Sequence, residues 1–235
     1  DVNIASPISG TGNLELTSST QTTPLSTLNV NNANVITRVA SASDLTLATP
    51  ISIGTVSSTT TNAIAIDVQE LALIRPGFQD IFIGSQNPTQ VISLTAPQVN
   101  NEYQSLVFHD PLVLVSSGVA YDNNGAKLAA GEVQIAGGLT GTGLTILGSG
   151  STTHLSAANV VQSGDVLVHD NLVIDTDSSI QVTQGVLTIS GSLTVKSGAT
   201  LTLSASDIRF DVFAAGRQDS IVLESGATLI IGTQH

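Results

Sequence analysis

The densest run of chemically useful side chains is an acid-base-acid row near the end of the chain. Asp207, Arg209 and Asp211 alternate with apolar residues, and Asp165 and His169 stand forty-two residues before the two aspartates. On β-strands separated by one other strand, such groups would lie roughly 9–10 Å apart. Paired carboxylates about 6.5–9.5 Å apart carry out inverting glycoside hydrolysis. We expect a solvated row of ion pairs, which stabilises a fold only slightly, and no catalytic site. If the chain is instead a polysaccharide-cleaving enzyme, these five residues are its candidate catalytic site.

The interval of forty-two is twice a repeat of twenty-one residues that runs through the last third of the chain. Val166, Leu187, Ile208 and Leu229 form one such series. Each is followed two places later by a second apolar residue, which puts both side chains on one face of a β-strand. Two further series are Leu172/Ile174 with Leu193/Val195, and Ile180/Val182 with Leu201/Leu203 and, one residue out of step, Ile221/Leu223.

Three short strands per repeat, separated by turns rich in Gly, Ser and Asn, predict an all-β solenoid in which each coil stacks on the last. Residues 1–235 would then form one domain of roughly eleven coils, a rod about 50 Å long. All seven prolines lie between Pro7 and Pro111. Because proline is confined to strand starts, edges and turns, we expect less regular coils in 1–130 and regular coils in 131–235. No segment has a convincing helical pattern.

Composition limits the partners. Hydrophobic residues make up 41% of the chain and aromatic residues only 3%, so the core must be aliphatic. The formal net charge of −12 argues against binding to nucleic acid or to anionic lipid. No apolar run is long enough to predict membrane insertion. The chain has no cysteine, which excludes disulfides and thiolate metal sites.

Metal and cofactor signals are weak. Asp175 and Asp177 alternate at a strand end and, with Asp170, are candidate calcium ligands; the alternative is that they accept hydrogen bonds from turns. The run 122–125 (Asp-Asn-Asn-Gly) lacks the spacing of a calcium loop and predicts a plain turn. The histidines share no zinc-binding spacing. We therefore expect no tight metal site and no cofactor, with calcium as the alternative.

The middle of the chain resembles a known family. The run from Ile66 to Gly118 contains RPGFQDIFIG at 75–84 and LVFHDPL at 106–112, and LTGTG follows at 139–143. These segments are similar to modules of filamentous-haemagglutinin-like bacterial surface adhesins. The passenger regions of that family are right-handed parallel β-helices. The resemblance implies a single-stranded right-handed parallel β-helix, with about 21 residues and three short strands per coil, and it carries over no catalytic residues. The secretion motif of the family, of the Asn-Pro-Asn-Leu type, is absent from this sequence.

The expected function is that of a structural or adhesive module of a large secreted bacterial surface protein, without enzymatic activity. Such a module would present a rod surface to a host or bacterial surface protein or glycan, in adhesion or biofilm formation. One alternative is a carbohydrate-active β-helix enzyme, either a lyase or a hydrolase, and another is a phage or fibre shaft segment. The ligand-binding residues cannot be named from the sequence. Leu229 and Ile231 open a last, uncapped coil, which predicts that neighbouring coils of a longer protein, or a second copy, cover this end.

Overall fold

The computed structural model describes residues 14–16, 51–55, 64–85, 91–100, 102–116, 119–121, 127–211 and 220–233. In these ranges the chain is all-β apart from one short helix, and seventeen strands belong to one large, curled, parallel sheet. The predicted turn at 122–125 lies outside the described residues. In chain order the elements are β1 Leu14–Leu16, β2 Ile51–Gly54, β3 Ile64–Asp67, α1 Val68–Leu71, β4 Ile81–Ser85, β5 Val91–Thr95, β6 Gln98–Val99, β7 Glu102–Tyr103, β8 Ser105–Val107, β9 Leu112–Ser116, β10 Val119–Tyr121, β11 Lys127–Ala130, β12 Glu132–Gly141, β13 Leu144–Gln162, β14 Val166–Ile174, β15 Ser178–Val182, β16 Val186–Ile189, β17 Leu193–Val195, β18 Thr200–Ala205, β19 Asp207–Phe210, β20 Ile221–Leu223 and β21 Thr228–Thr233.

The parallel pairings form three ladders. The first ladder runs β1, β4, β9, the start of β13, the start of β14, β16 and β19. The second runs β3, β2, β5, the first half of β12, the middle of β13, the end of β14, β17 and β20. The third runs β8, the second half of β12, the end of β13, β15, β18 and β21. From β4 onward the chain visits the ladders in the order first, second, third, and we call one such passage a winding.

Alternation of apolar and polar residues places the core. Along β14 every second side chain is buried, from Val166 to Ile174, and β18 alternates in the same way. The buried hydrophobic residues are aliphatic except for Phe78 and Phe108, both in the earlier part of the chain, and polar residues such as Asp110, Gln162 and Asp170 are also buried. The composition therefore predicts the character of the core correctly.

Two of the three predicted strand series need correction. Val166, Leu187 and Ile208 pair in succession, and Leu172 pairs with Leu193, as expected. Leu229, however, pairs with Leu201, twenty-eight residues earlier, and not with Ile208. The reason is chain length: ten residues separate Phe210 from Ile221, against three between β16 and β17.

The third series is also out of register. Ile180 pairs with Leu203, while Leu201 pairs with Ser178, because β15 begins at Ser178 with a buried serine. Ile221 pairs with Leu193 in the second ladder and not with Leu201. Leu193, Leu201, Leu203 and Ile221 are apolar residues of similar size, so spacing alone does not distinguish the ladders.

The chain before β12 carries additional elements between ladder strands. Helix α1 begins at a capping box, in which the Glu70 main-chain N–H donates to the Asp67 carboxylate at 2.8 Å and Glu70 accepts from the Asp67 N–H at 3.1 Å. Two antiparallel hairpins, β6–β7 and β10–β11, lie between ladder strands. Gly54 ends β2 and Gly84 is the last residue but one of β4. Their φ angles are 97° and 108°, and a Cβ atom at either position would collide with the carbonyl oxygen of Thr95 or Val115, respectively. These two positions therefore require glycine.

Candidate functional site

The predicted acid-base-acid row lies on the outer side of the first ladder. Val186 pairs with Asp207, and the Val186 N–H donates to the Asp165 carboxylate at 2.8 Å, so Asp165 and Asp207 flank one intervening strand. His169 and Asp211 likewise flank Ser190: the His169 Nδ1 is 3.2 Å from the Ser190 hydroxyl, and Asp211 follows the Ile189–Phe210 pair. The structure therefore places Asp165 and His169 two strands away from Asp207 and Asp211, as the interval of forty-two residues predicts.

Asp165, Asp207 and Arg209 of this row already have hydrogen-bond partners. The Arg209 guanidinium donates from Nε to the Asp207 carboxylate at 2.8 Å, and a second nitrogen is 2.6 Å from the same oxygen. Both side chains are largely exposed, so the pair contributes little stability. Asp165 holds the turn that leads into β16. Asp165 and His169 therefore tie neighbouring strands, whereas Asp207 and Arg209 pair within β19. Asp211 follows that strand and is exposed.

The three candidate calcium ligands lie in different environments. Asp170 occupies an inward position of β14 and is only 2% exposed; its oxygens accept hydrogen bonds from the Ser151 and Thr153 hydroxyls at 3.0 Å and from the Asn171 N–H at 2.8 Å. It joins the strands at the corner between the first and second ladders.

The other two aspartates follow β14 and lie outside the core. Asp177 is exposed and accepts a hydrogen bond from the Thr200 N–H at 2.7 Å, while Asp175 contacts a histidine. In the described part of the chain, no three His, Cys, Asp or Glu side chains are arranged to hold a metal ion.

A second polar row, not predicted from the sequence, crosses the outer side of the second ladder. His154 lies at its centre: its Nδ1 is 2.9 Å from an Asp175 carboxylate oxygen, and its Nε2 is 3.9 Å from Glu132 Oε1. About a third of each of these three side chains is exposed, at 30–34%. The row continues through Gln134, whose amide donates to Glu132 at 2.7 Å, and Ser93, whose hydroxyl donates to Gln134 at 3.1 Å. We call Ser93, Gln134, Glu132, His154 and Asp175 the second-ladder polar row.

The contacts of His154 set its hydrogen-bonding role. When the imidazole is neutral, Nδ1 must carry the proton to donate to the Asp175 carboxylate. Nε2 is then an acceptor that faces the Glu132 carboxylate. An amine placed between them could donate to both and a hydroxyl to one of them, so the arrangement suits a ligand rich in O–H or N–H groups.

The repeat length itself could have found this row. Asp175 follows His154 by twenty-one residues, the interval that stacks strand on strand. The spacing between histidines does not reveal the second-ladder polar row, because the partners of His154 are carboxylates.

The segments 75–84 and 106–112 contact each other. The buried carboxylate of Asp110 accepts hydrogen bonds from the main-chain N–H groups of Gly77 and Phe78 at 3.0–3.1 Å. Asp80, two residues beyond Phe78, is half-buried, and this burial raises the pKa of its carboxyl group. The Asp110 contacts fasten the loop before β4 to the winding that follows it.

Across the described residues, no helix has the length and hydrophobicity needed to cross a bilayer. Comparison of the chain with protein-family models, curated proteins and solved structures gave no match.

Proposed function

We propose that this chain is a right-handed parallel β-helix that serves as a structural and adhesive module of a large secreted bacterial surface protein. The observation that carries the proposal is the set of three parallel ladders around an aliphatic core, visited in constant order. Parallel strands joined by crossovers are right-handed in about 98% of cases, which supports the proposed hand. The resemblance to haemagglutinin-like adhesins supports the surface location.

The hydrogen bonds and ion pairs made by the charged residues also favour a module without catalytic activity. Asp110, Asp165 and Asp177 accept main-chain hydrogen bonds from a neighbouring strand or turn, and Asp207 pairs with Arg209. Carboxylates engaged in this way stabilise turns and windings. The outer side of such a rod is available along its length as a binding surface.

The second-ladder polar row is the surface that we propose for ligand contact. It presents carboxylate, imidazole, amide and hydroxyl groups from β5, β12, β13 and the turn after β14 on one side. Four strands at about 4.8 Å spacing extend roughly 14 Å, the length of a few sugar rings. Hydroxyl groups of a neutral glycan, or the amine of an amino sugar, match these acceptors.

A glycan array probed with the labelled chain tests this proposal. We expect binding to neutral or amino-sugar glycans that His154→Ala weakens at least about tenfold, since the ligand and Asp175 would each lose a hydrogen bond to the imidazole. The matched control is His169→Ala, because His169 also contacts a neighbouring strand but lies on the first ladder. Equal binding by the wild-type chain and His154→Ala, or no binding to any glycan or bacterial surface, would contradict the proposal.

Polysaccharide cleavage is the second candidate function. It is favoured by the placement of Asp165 and Asp207 on either side of one strand, which puts their main chains roughly 9–10 Å apart. Release of reducing sugar from a polysaccharide panel, abolished by Asp207→Ala, would establish it in place of adhesion.

A further inference from the structure

The second-ladder polar row holds two hydrogen-bond acceptors that face each other. With the proton of a neutral His154 on Nδ1, its Nε2 accepts hydrogen bonds, and so does the Glu132 carboxylate. Nε2 and Glu132 Oε1 are 3.9 Å apart, and about a third of each side chain is exposed. We call these two atoms the acceptor pair. Because neither atom can donate to the other, the pair is suited to a ligand that donates to both.

Neighbouring side chains hold both acceptors in position. An Asp175 carboxylate oxygen lies 2.9 Å from His154 Nδ1. The Gln134 amide donates to Glu132 Oε1 at 2.7 Å and accepts from the Ser93 hydroxyl at 3.1 Å. A carboxylate oxygen has two lone pairs, so Glu132 Oε1 can accept from a second donor. A ligand therefore meets acceptors whose positions are already set, which lowers the entropy lost on binding.

The charge of this site favours a cation. Glu132 and Asp175 carry two negative charges, and in the described ranges His154 is the only basic side chain in salt-bridge contact with either carboxylate. The residues that pair with His154 on the two neighbouring strands, Gln134 and Val173, are uncharged. While the imidazole is neutral, the site is therefore anionic, in a chain whose formal net charge is −12.

We infer that the acceptor pair binds the free amine of an amino sugar. This inference rests on the glycan binding proposed above and narrows it to one class of ligand. An amine has at least two N–H donors, whether it is protonated or neutral, whereas a hydroxyl or an N-acetylated amine has only one. A nitrogen about 2.8–2.9 Å from both atoms completes a triangle on the 3.9 Å base. When protonated, the amine also offsets the negative charge of the two carboxylates.

A lysine side chain would supply the same amine, but the rest of the row favours a sugar. Gln134 is exposed and Ser93 half-exposed, so their amide and hydroxyl groups can bond to sugar hydroxyls beside the acceptor pair. Ser93 and Asp175 lie three strand spacings apart, roughly 14 Å, which spans more than one sugar ring. A single lysine side chain would engage only the acceptor pair.

Isothermal titration calorimetry of the full chain with a short glucosamine oligosaccharide, and with its fully N-acetylated counterpart of the same length, tests the inference. At neutral pH and physiological salt, the free-amine oligosaccharide should bind at least about tenfold more tightly, because charge-assisted hydrogen bonds are stronger than neutral ones. Glu132→Gln should weaken its binding about tenfold and change the affinity for the N-acetylated oligosaccharide by less than about twofold. Glu132→Asp keeps the charge but shortens the side chain, so it should also weaken binding of the free amine.

The matched control is Glu224→Gln, which also removes one negative charge. Glu224 is exposed and lies four strands along the same ladder, roughly 19 Å from Glu132. This distance exceeds the screening length at physiological salt, so the control should change both affinities by less than about twofold. Circular dichroism verifies that each variant is folded, and Glu132→Asp carries the test if Glu132→Gln unfolds.

Equal affinity of the wild-type chain for the two oligosaccharides would overturn the inference and leave the proposed glycan binding in place. Binding of neither oligosaccharide would overturn it as well, and the glycan array then decides the broader proposal. An equal loss of affinity in Glu132→Gln and Glu224→Gln would overturn it because net charge, and not the acceptor pair, would be the cause. Tighter binding of a lysine oligomer with the same number of amines would overturn the assignment to a sugar.

Discussion

Residues 144–211 and residues 81–143 build the same ladders with different lengths of chain. In the later region, paired residues such as Leu144 and Val166, or Val166 and Leu187, are about one repeat apart. In the earlier region, Ile81 pairs with Leu112 and Ile92 with Val133, at intervals of thirty-one and forty-one residues. The extra residues lie at corners, as loops and hairpins, while strand pairing is retained. Ladder pairing and corner length are therefore separate properties of this fold.

If the ladders of the two regions are equivalent, substitution of an inward-facing residue should lower the free energy of unfolding equally in both regions. Leu201 and Leu94 are fully buried, and each has a half-exposed neighbour, Thr202 and Ser93. Substitution of either leucine by Asp buries a carboxylate in an aliphatic core and should lower the free energy of unfolding by about 3–5 kcal/mol. Chemical denaturation measures the change.

Thr202→Lys and Ser93→Lys are the matched controls, and each should change stability by less than about 1 kcal/mol. A Leu94→Asp chain as stable as the Ser93→Lys chain would show that the earlier ladder lacks a packed core.

The earlier region should depend on a loop contact that the later region lacks. Asp110→Ala leaves the N–H groups of Gly77 and Phe78 without their buried acceptor, so we expect a loss of about 2–3 kcal/mol. The comparison is Asp165→Ala, which removes one hydrogen bond at an exposed turn and should cost about 1 kcal/mol or less. Thermal unfolding ranks the two variants. An equal loss in both would mean that Asp110 does not hold the loop.

The sequence predicts the parts of the fold that depend on side-chain alternation. The strand phase of Val166, Leu187 and Ile208 follows directly from the period, and so does the outward row at Asp207. The pairing of Leu229 could not be predicted in this way, because corner length adds to the spacing without changing any strand. The His154 contacts were missed because they join different residue types across windings.

Lengthening a short corner in the later region should leave its strand pairing intact, as the long corners do in the earlier region. Insertion of six Gly and Ser residues between Gln184 and Gly185, where Gln184 is exposed, should lower stability by about 1 kcal/mol or less, since loop entropy grows slowly with length. Circular dichroism and denaturation of the inserted chain give the result. The same insertion within β16, after Leu187, is the control and should unfold the winding. If the corner insertion is as harmful as the strand insertion, corner length is not independent of pairing.

The smallest expected effect on stability concerns the half-buried carboxyl group of Asp80 in the earlier region. Its raised pKa means that the folded chain holds the proton more tightly than the unfolded chain, so this group lowers stability as the pH rises through the folded-state pKa. Asp80→Asn should therefore raise the melting temperature slightly at pH 7. The gain should shrink as the pH falls through the folded-state pKa towards the ordinary carboxyl pKa, and should be absent below it.

Asp211→Asn, at an exposed position, is the control for this pH series. A gain from Asp80→Asn that is the same at pH 7 and at low pH would show that burial of the charge is not its cause.

Intramolecular disulfide formation tests the ladder pairing most directly, because the native chain has no cysteine. The two double variants Thr202→Cys with Ile230→Cys and Arg209→Cys with Ile230→Cys share one position. Thr202 pairs with Ile230 in the third ladder, whereas Arg209 stands twenty-one residues before Ile230 and lies in the first ladder. At low protein concentration under mild oxidation, the first variant should lose both free thiols within one chain, since neighbouring strands are about 4.8 Å apart. The second should keep them. Closure of the Arg209–Ile230 pair within one chain, with the Thr202–Ile230 pair open, would contradict the three-ladder arrangement.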